Sequence, residues 1–180
     1  MLGTGLVQIY TGQGKGKTTA CFGAALRAAG CGNKVLICQF LKPDSLELGE
    51  RIALGKAGLD ITIELPETPW DMVNSLEDAE TIAVTKKAIK EKLGKITDAA
   101  RQKKYDMIIL DEIVFCLSKQ LASLADIEKL IQNRDPAVEI IMTGRDASDE
   151  LIALADLVTE MKKIKHPFDK GIEARKGIEY

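Results

Sequence analysis

Short apolar runs of strand length recur along the chain, and most of the segments between them have the composition of helices. The runs occupy residues 6–10, 35–40, 61–65, 107–110, 140–142 and 157–161. Alternation of strands with helices is typical of a parallel sheet, because each crossover helix returns the chain to the same end of the sheet and packs on one face. The pattern therefore predicts an α/β fold, with a parallel sheet covered by helices on both faces.

Four intervening segments carry helix signals: residues 17–29, a long segment after residues 75–78, residues 123–133 and residues 149–155. The first is rich in alanine and ends at Gly30, a residue typical of helix C-termini. The second opens with a sequence that resembles a capping box, and its apolar residues follow at helical spacing. These residues are Ile82, Ile89, Leu93, Ile96 and Ala100. No period is clear over residues 165–180, and no repeat or linker divides the chain.

Length and charge narrow the class of protein. The chain has 180 residues, enough for one substantial core, so we expect residues 1–180 to form a single domain. The formal net charge is −2 with both signs interspersed, and the lack of a basic stripe argues against a nucleic-acid partner. No secretory signal opens the chain, and no stretch reaches the roughly 20 apolar residues of a membrane span. We therefore expect a soluble, cytoplasmic protein without membrane contact.

The four cysteines give no sign of a metal site. Cys21, Cys31, Cys38 and Cys116 form no C-x-x-C pair and have no histidine-rich neighbourhood, which disfavours zinc. In a reducing compartment, we expect all four to be small core residues.

A glycine- and lysine-rich loop lies between the first predicted strand and the first predicted helix. It comprises Gly12, Gln13, Gly14, Lys15, Gly16, Lys17, Thr18 and Thr19. Glycines let backbone N–H groups approach phosphate oxygens, Lys17 supplies a positive charge, and the Thr18 hydroxyl is suited to Mg²⁺. The usual G-x-x-x-x-G-K-[ST] pattern has glycine where this chain has Thr11. The loop predicts a phosphate site of altered form; the alternative is a glycine-rich turn with incidental lysines.

Two carboxylates follow the fourth predicted strand. Asp111 and Glu112 come directly after the apolar run 107–110. In a nucleotide-binding sheet, such an acid faces the magnesium from a neighbouring strand end. An acidic pair after a strand is also often a helix cap or a solvated turn. The phosphate loop favours the metal-site interpretation.

The form G-x-G-K-G-K-T-T at residues 12–19 resembles the loop of the ATP:corrinoid adenosyltransferases. The similarity continues in order along nearly the whole chain, at residues 24–28, 39–40, 49–51, 70, 110–112, 143–145, 166–169 and 177–180. The resemblance implies a RecA-like, P-loop NTPase-like fold, usually as a homodimer. It also implies ATP with Mg²⁺ or Mn²⁺ as co-substrate, a corrinoid as acceptor, and an electron-donating reductase such as a flavoprotein as partner.

The resemblance also assigns roles to residues. Lys17 and the loop would bind the triphosphate, and Thr18 with Glu112 or Asp111 would hold the metal, which makes Lys17 and Glu112 the expected catalytic residues. Arg27 and Arg145 would complete the nucleotide pocket, although each could equally be a solvated or helix-pairing residue. Trp70, the only tryptophan, would lie against the lower face of the corrinoid, and its alternative is a buried loop anchor.

Adenosyl transfer would explain why the sequence shows no motif for a serine, cysteine or lysine nucleophile. Co(I) is itself a strong nucleophile, so the protein has only to position two substrates and stabilise the departing negative charge. His166 is the only histidine and has no serine or cysteine motif to work with, so we interpret it as structural.

The chain departs from the family in two places. Thr68 stands where other members carry an aromatic residue thought to help displace the lower axial ligand. Longer relatives have a helix before the first strand, whereas this chain starts about five residues before it. We expect corrinoid capture to differ accordingly.

Two other functions fit the loop and the acids. A P-loop ATPase or small-molecule kinase would use Lys17 and Glu112 for attack on the γ-phosphate. A regulatory module would bind ATP without turnover. The ATPase or kinase alternative does not explain Trp70 or the matching C-terminal stretch, and the regulatory module predicts tight ATP binding and no product. The sequence leaves open which corrinoid is the acceptor, and whether the pathway is synthesis or salvage.

Overall fold

The computed structural model describes residues 3–42, 44–66, 70 and 77–179. Within them, six parallel strands form one sheet in the order β3-β2-β4-β5-β1-β6. The strands are β1 Val7–Thr11, β2 Val35–Gln39, β3 Ile61–Glu64, β4 Met107–Asp111, β5 Glu139–Thr143 and β6 Leu157–Glu160. The predicted α/β class, with its P-loop-type parallel sheet, is confirmed.

Helices connect the strands: α1 Lys17–Gly30, α2 Gly49–Lys56, α3 Ala79–Arg101, α4 Ile113–Ser118, α5 Leu124–Asn133 and α6 Asp149–Ile152, with a 3₁₀ turn at Pro167–Lys170. The sequence did not predict α2 or α4. The last helix is shorter than the predicted 149–155, and α3 is capped by the Asp78 side chain. Ser75, the expected first residue of the capping box, lies outside the described residues. Ser123 precedes α5 as expected, but its side chain makes no capping hydrogen bond.

Two apolar layers cover the sheet because successive strand residues point to opposite faces. Leu36 and Cys38 join the larger layer, which contains α3, α4 and α5, whereas Val35 and Ile37 join the layer under α1. The strands β2, β4 and β5 are buried at every residue. Each fully buried Ile or Leu side chain stabilises the fold by about 1.5–3 kcal/mol through removal of apolar surface from water.

The cysteines follow this burial with one exception. Cys21, Cys38 and Cys116 are buried and free, as expected, but Cys31 is exposed. Cys31 is the C-cap residue of α1, where the chain turns toward β2 at the surface, so the prediction that all four are core residues was wrong for Cys31. Within the described part of the chain, no helix combines the length and the apolar character needed to cross a membrane.

The strand order brings the carboxyl ends of four strands together. Thr11, Gln39, Asp111 and Thr143 are the last residues of β1, β2, β4 and β5. These strands are neighbours in the sheet, so their final side chains gather at one edge, which is where ligands bind in open parallel sheets.

Candidate functional site: a phosphate loop beside a buried aspartate

The loop between β1 and α1 turns at glycines with positive φ. Gly12 has φ 98° and Gly16, the N-cap of α1, has φ 112°. Thr11 is still paired in β1, opposite Glu160 of β6. Thr11 is therefore the last residue of the strand, and the loop begins at Gly12, whose positive φ suits glycine.

Two of the loop glycines are also required by packing. The Gly14 N–H donates to the Met161 carbonyl at 2.6 Å. A Cβ atom at either Gly12 or Gly14 would lie 2.6 Å from that same carbonyl oxygen, which is too close for any side chain. The backbone directly after β6 therefore packs closely against the loop and restricts its conformation.

Lys17 lies at the first position of α1 with its side chain folded back over the loop. Its ammonium donates to the Gly12 carbonyl at 2.7 Å and to the Gly14 carbonyl at 2.8 Å. Burial lowers the pKa of Lys17 from its ordinary value, while the nearby Glu112 carboxylate acts in the opposite direction. The charge is thus held at the mouth of the loop, beside the backbone that would meet a phosphate.

A polar pocket of about 200 Å³ opens above the loop. Its lining residues are Gln13, Gly14, Lys15, Gly16, Lys17, Thr18, Thr19, Glu112, Arg145, His166 and Glu179. The structure thus brings together most of the residues predicted for the site, because the loop, Glu112 and Arg145 line one pocket. His166 and Glu179 were not predicted to be there.

Two predicted residues lie elsewhere. Arg27 is exposed in the last turn of α1, ten positions after Lys17, and does not line the pocket. Ten helical residues span about 15 Å, so this placement does not support a role in the nucleotide pocket. Trp70 is 5% exposed and packs in the larger apolar layer, as its loop-anchor alternative predicted. Thr68 lies outside the described residues.

Asp111 is fully buried and receives four hydrogen bonds. Thr18 and Thr143 donate their hydroxyl protons to Oδ1, at 3.0 and 2.7 Å. Gln39 and Lys42 donate to Oδ2, at 2.9 and 2.7 Å. Burial acts to raise the pKa of Asp111, but the Lys42 charge and the hydrogen bonds outweigh it, and the pKa is lowered. Asp111 is therefore an anion that fixes the Thr18 hydroxyl.

Glu112 differs from Asp111 in its backbone conformation and in the direction of its pKa shift. Its backbone has φ 69°, in the left-handed region that non-glycine residues rarely adopt, and its N–H donates to the Thr143 hydroxyl at 3.0 Å. Strain of this kind persists where the surrounding structure imposes it. Burial, and next the Asp111 charge, raise the pKa of Glu112. Its carboxylate lines the pocket and accepts no hydrogen bond from the described part of the chain.

The site suits a divalent cation that is shared with a phosphate ligand. The Thr18 proton is committed to Asp111, so the lone pairs of Thr18 face away from that carboxylate, and one of them already accepts from the Lys42 ammonium at 3.0 Å. Among the described residues, no group of three or more His, Cys, Asp or Glu side chains could cage a metal alone. One hydroxyl and one or two carboxylates, completed by phosphate oxygens, match the way Mg²⁺ is usually bound.

Sequence reasoning assigned no role to Lys42, Arg51 or the C-terminal tail. Arg51 of α2 donates to the Gln39 side chain at 2.7 Å and to the Lys42 carbonyl at 3.1 Å. Lys15 donates to the Ile178 carbonyl at 2.8 Å and pairs with Glu179. The Lys15 contacts join the two ends of the chain, and the Arg51 contacts join α2 to the end of β2. Neither set follows from a local sequence motif.

Comparison with known proteins identifies the family. The sequence model of the ATP:corrinoid adenosyltransferases BtuR/CobO/CobP matches residues 3–180. The corrinoid adenosyltransferase of Escherichia coli K12 is 33% identical over 176 residues, which are 98% of this chain and 86% of that protein. CobA of Salmonella typhimurium LT2, named a corrinoid adenosyltransferase, is 32% identical with the same coverage. The corrinoid adenosyltransferase of a Sinorhizobium species is 33% identical over 177 residues, covering 98% of this chain and 80% of that protein. Loop, sheet and sequence agree, and the chain belongs to the ATP:corrinoid adenosyltransferase family.

Proposed function

We propose that this protein transfers the 5′-deoxyadenosyl group of ATP to the Co(I) centre of a corrinoid and releases tripolyphosphate. The observation that carries the proposal is the phosphate loop, with Thr18 fixed by Asp111 and Glu112 facing the same pocket, in a chain of this family. The acceptor is cobalamin or an earlier corrinoid such as cobyrinic acid a,c-diamide.

The chemistry asks little of the protein beyond position and charge. The electron pair of Co(I) forms the new cobalt–carbon bond at C5′, and the C5′–O bond breaks with its electrons on the departing triphosphate. Loop N–H groups, Lys17 and Arg145 stabilise that negative charge, in the manner of other preorganised anion sites. Removal of water from the pocket strengthens each of these interactions.

Thr18 and Glu112 are the proposed ligands of Mg²⁺ or Mn²⁺. The metal, when bound, neutralises phosphate charge as the triphosphate leaves. Asp111 becomes a direct ligand only by exchanging one of its four donors; otherwise it acts through Thr18. Lys15 and the loop amides complete the triphosphate contacts.

The remaining proposals concern the setting of the reaction. A homodimer is the proposed assembly, and sedimentation of the pure protein tests it. A reductase such as a flavoprotein would deliver the electron that generates Co(I), and the cytoplasm is the proposed compartment. The corrinoid contact of Trp70 is kept only as a prediction, because its side chain is buried.

An anaerobic visible-spectrum assay tests the function. Purified protein, ATP, Mg²⁺ and cob(I)alamin should give a protein-dependent adenosylcobalamin spectrum that reverts on exposure to light, with one tripolyphosphate per product. A Lys17→Ala protein serves as the matched negative control. Release of orthophosphate without a corrinoid product would instead support the ATPase or kinase alternative. ATP binding without any product would support a regulatory module.

A further inference from the structure

The Lys42 ammonium occupies a cation position beside the phosphate loop. It donates to Asp111 Oδ2 at 2.7 Å and to Thr18 Oγ1 at 3.0 Å. Its side chain is 17% exposed, and Asp111 is fully buried. Lys42 therefore contacts both Thr18 and Asp111, and it does so from the segment that follows β2 rather than from the phosphate loop.

The backbone of Lys42 is held in this place by Arg51. The guanidinium donates to the Lys42 carbonyl and to the Gln39 side chain, and Gln39 in turn donates to Asp111. Both partners of Asp111 Oδ2 are thus fastened by one residue of α2. Such an arrangement fixes the root of the Lys42 side chain while its flexible end remains free to change partners.

A metal on Thr18 is incompatible with the present contact. A divalent cation and an ammonium bound to one hydroxyl oxygen would repel each other strongly at that distance. Lys42 must then give up Thr18, and the nearest new anion is the phosphate chain that accompanies the metal. A bare ammonium on a long stem is well suited to such an exchange, because it binds phosphate as a point charge without a fixed geometry.

We propose that Lys42 is a further triphosphate-binding residue. Without ligand, its ammonium holds Thr18 and Asp111 in place; when metal and nucleotide bind, the ammonium leaves Thr18 and contacts the triphosphate instead. The inference rests on the proposed function and names an additional binding residue in it. Four positive side chains would then surround the highly charged leaving group: Lys15, Lys17, Lys42 and Arg145.

Calorimetric titration with tripolyphosphate tests the inference without any corrinoid, with and without Mg²⁺. We expect Lys42→Met to weaken tripolyphosphate binding about 10-fold or more, as loss of a charged hydrogen bond does. Lys95→Met, on the exposed face of α3, is the control and should bind like the wild type. Equal affinity of Lys42→Met and wild type would overturn the inference and leave the proposed function standing.

Loss of Lys42 leaves a buried carboxylate without its counter-ion, which could weaken the site indirectly. The double variant Asp111→Asn/Lys42→Met removes both charges. It separates the loss of a direct phosphate contact from the effect of an unpaired Asp111 carboxylate. In the titration without Mg²⁺, where the metal ligands play no part, we expect the double variant to bind tripolyphosphate as weakly as Lys42→Met. Under the same condition, Asp111→Asn alone should bind at least as tightly as the wild type because Lys42 is released. Recovery of wild-type affinity in the double variant would show that Lys42 only neutralises Asp111, and would overturn the inference. Failure of the wild type to bind tripolyphosphate would contradict the proposed function as well.

Discussion

The Thr143 hydroxyl joins the two carboxylate-bearing residues of the site: it donates to Asp111 Oδ1 at 2.7 Å and accepts from the Glu112 N–H at 3.0 Å. Thr143 is the last residue of β5 and is fully buried. One hydroxyl thus ties the neighbouring strand to the point where β4 turns into α4. It supports both the Asp111 anion and the strained backbone of Glu112.

Thr143→Val should therefore destabilise the fold although it keeps the shape of the side chain. The Glu112 N–H and an Asp111 lone pair would lose their partner in a buried place, and we expect a loss of about 1–3 kcal/mol in the free energy of unfolding. Urea denaturation measures it. Thr159→Val, on the exposed strand β6, is the matched control. If the two variants were equally stable, the Thr143 hydroxyl would not support the site.

Lys17→Ala should impair adenosyl transfer while leaving the fold intact. The variant removes a positive charge that lies against two loop carbonyls, and it empties no apolar core. By comparison with single donors in other anion sites, we expect kcat to fall by about 100-fold or more. Steady-state kinetics and circular dichroism measure the two effects, with Lys95→Ala as control. Near-normal kinetics would remove Lys17 from the mechanism.

The strands could be predicted from the sequence because burial dictates their composition. Runs such as 35–40 and 107–110 are apolar because both faces of a central parallel strand are covered. Helix α4 was missed because Ile113 to Leu117 continue the apolar run of β4 after only two acids, and nothing in the pattern marks a change of period. Helix α2 was missed because it buries no residue and so carries no apolar stripe.

The phosphate loop and the two carboxylates Asp111 and Glu112 could be predicted from the sequence for a different reason. The loop is recognised by the local spacing of its glycines, Lys17 and Thr18, which the sequence displays. The partnership of Lys42 with Asp111 depends instead on β2 lying beside β4, a property of the whole sheet. The same holds for Glu179, which reaches Lys15 from the far end of the chain. Local sequence cannot display such pairs.

Trp70→Ala should destabilise the protein strongly. The indole is packed among buried residues of the larger apolar layer, and truncation of a buried tryptophan typically costs about 3–5 kcal/mol. Chemical denaturation measures this loss, and Trp70→Phe, which keeps most of the packing, should lose less. Under conditions where both variants are folded, the family resemblance predicts weaker corrinoid binding with unchanged ATP binding. Equal loss of both would establish Trp70 as an anchor only.

Glu179→Gln should loosen the C-terminal tail over the phosphate loop. Hydrogen bonds, first of all from Arg175, lower the pKa of Glu179 to about 2. Because the folded pKa is depressed, the contact is present above the ordinary glutamate value and is lost as the pH falls toward 2. We expect faster amide hydrogen exchange in residues 175–179 of the variant at neutral pH. Glu173→Gln, also in the exposed tail, is the control, and equal exchange in both would contradict the contact.

Glu112→Gln should make the protein more stable and less active. The folded pKa of Glu112 is raised, so the native state binds its proton more tightly than the unfolded chain does. The favourable contribution exists at low pH and is lost as the pH rises through the folded pKa; at neutral pH the ionised carboxylate is a cost. Glu112→Gln removes that cost, and we expect its Tm to exceed the wild-type Tm at pH 7.5. The difference should shrink as the pH falls toward the ordinary glutamate value near 4.3.

The same substitution removes a proposed metal ligand, so activity should move in the opposite direction. We expect Glu112→Gln to need a higher Mg²⁺ or Mn²⁺ concentration for half-maximal adenosyl transfer and to have a lower kcat. Glu91→Gln, on the exposed face of α3, should change neither property. A gain in stability at neutral pH without loss of metal response would leave Glu112 as a strained, buried carboxylate outside the metal site. That result would assign the metal to Thr18 and Asp111, and Lys42 would then have to leave both of their oxygens.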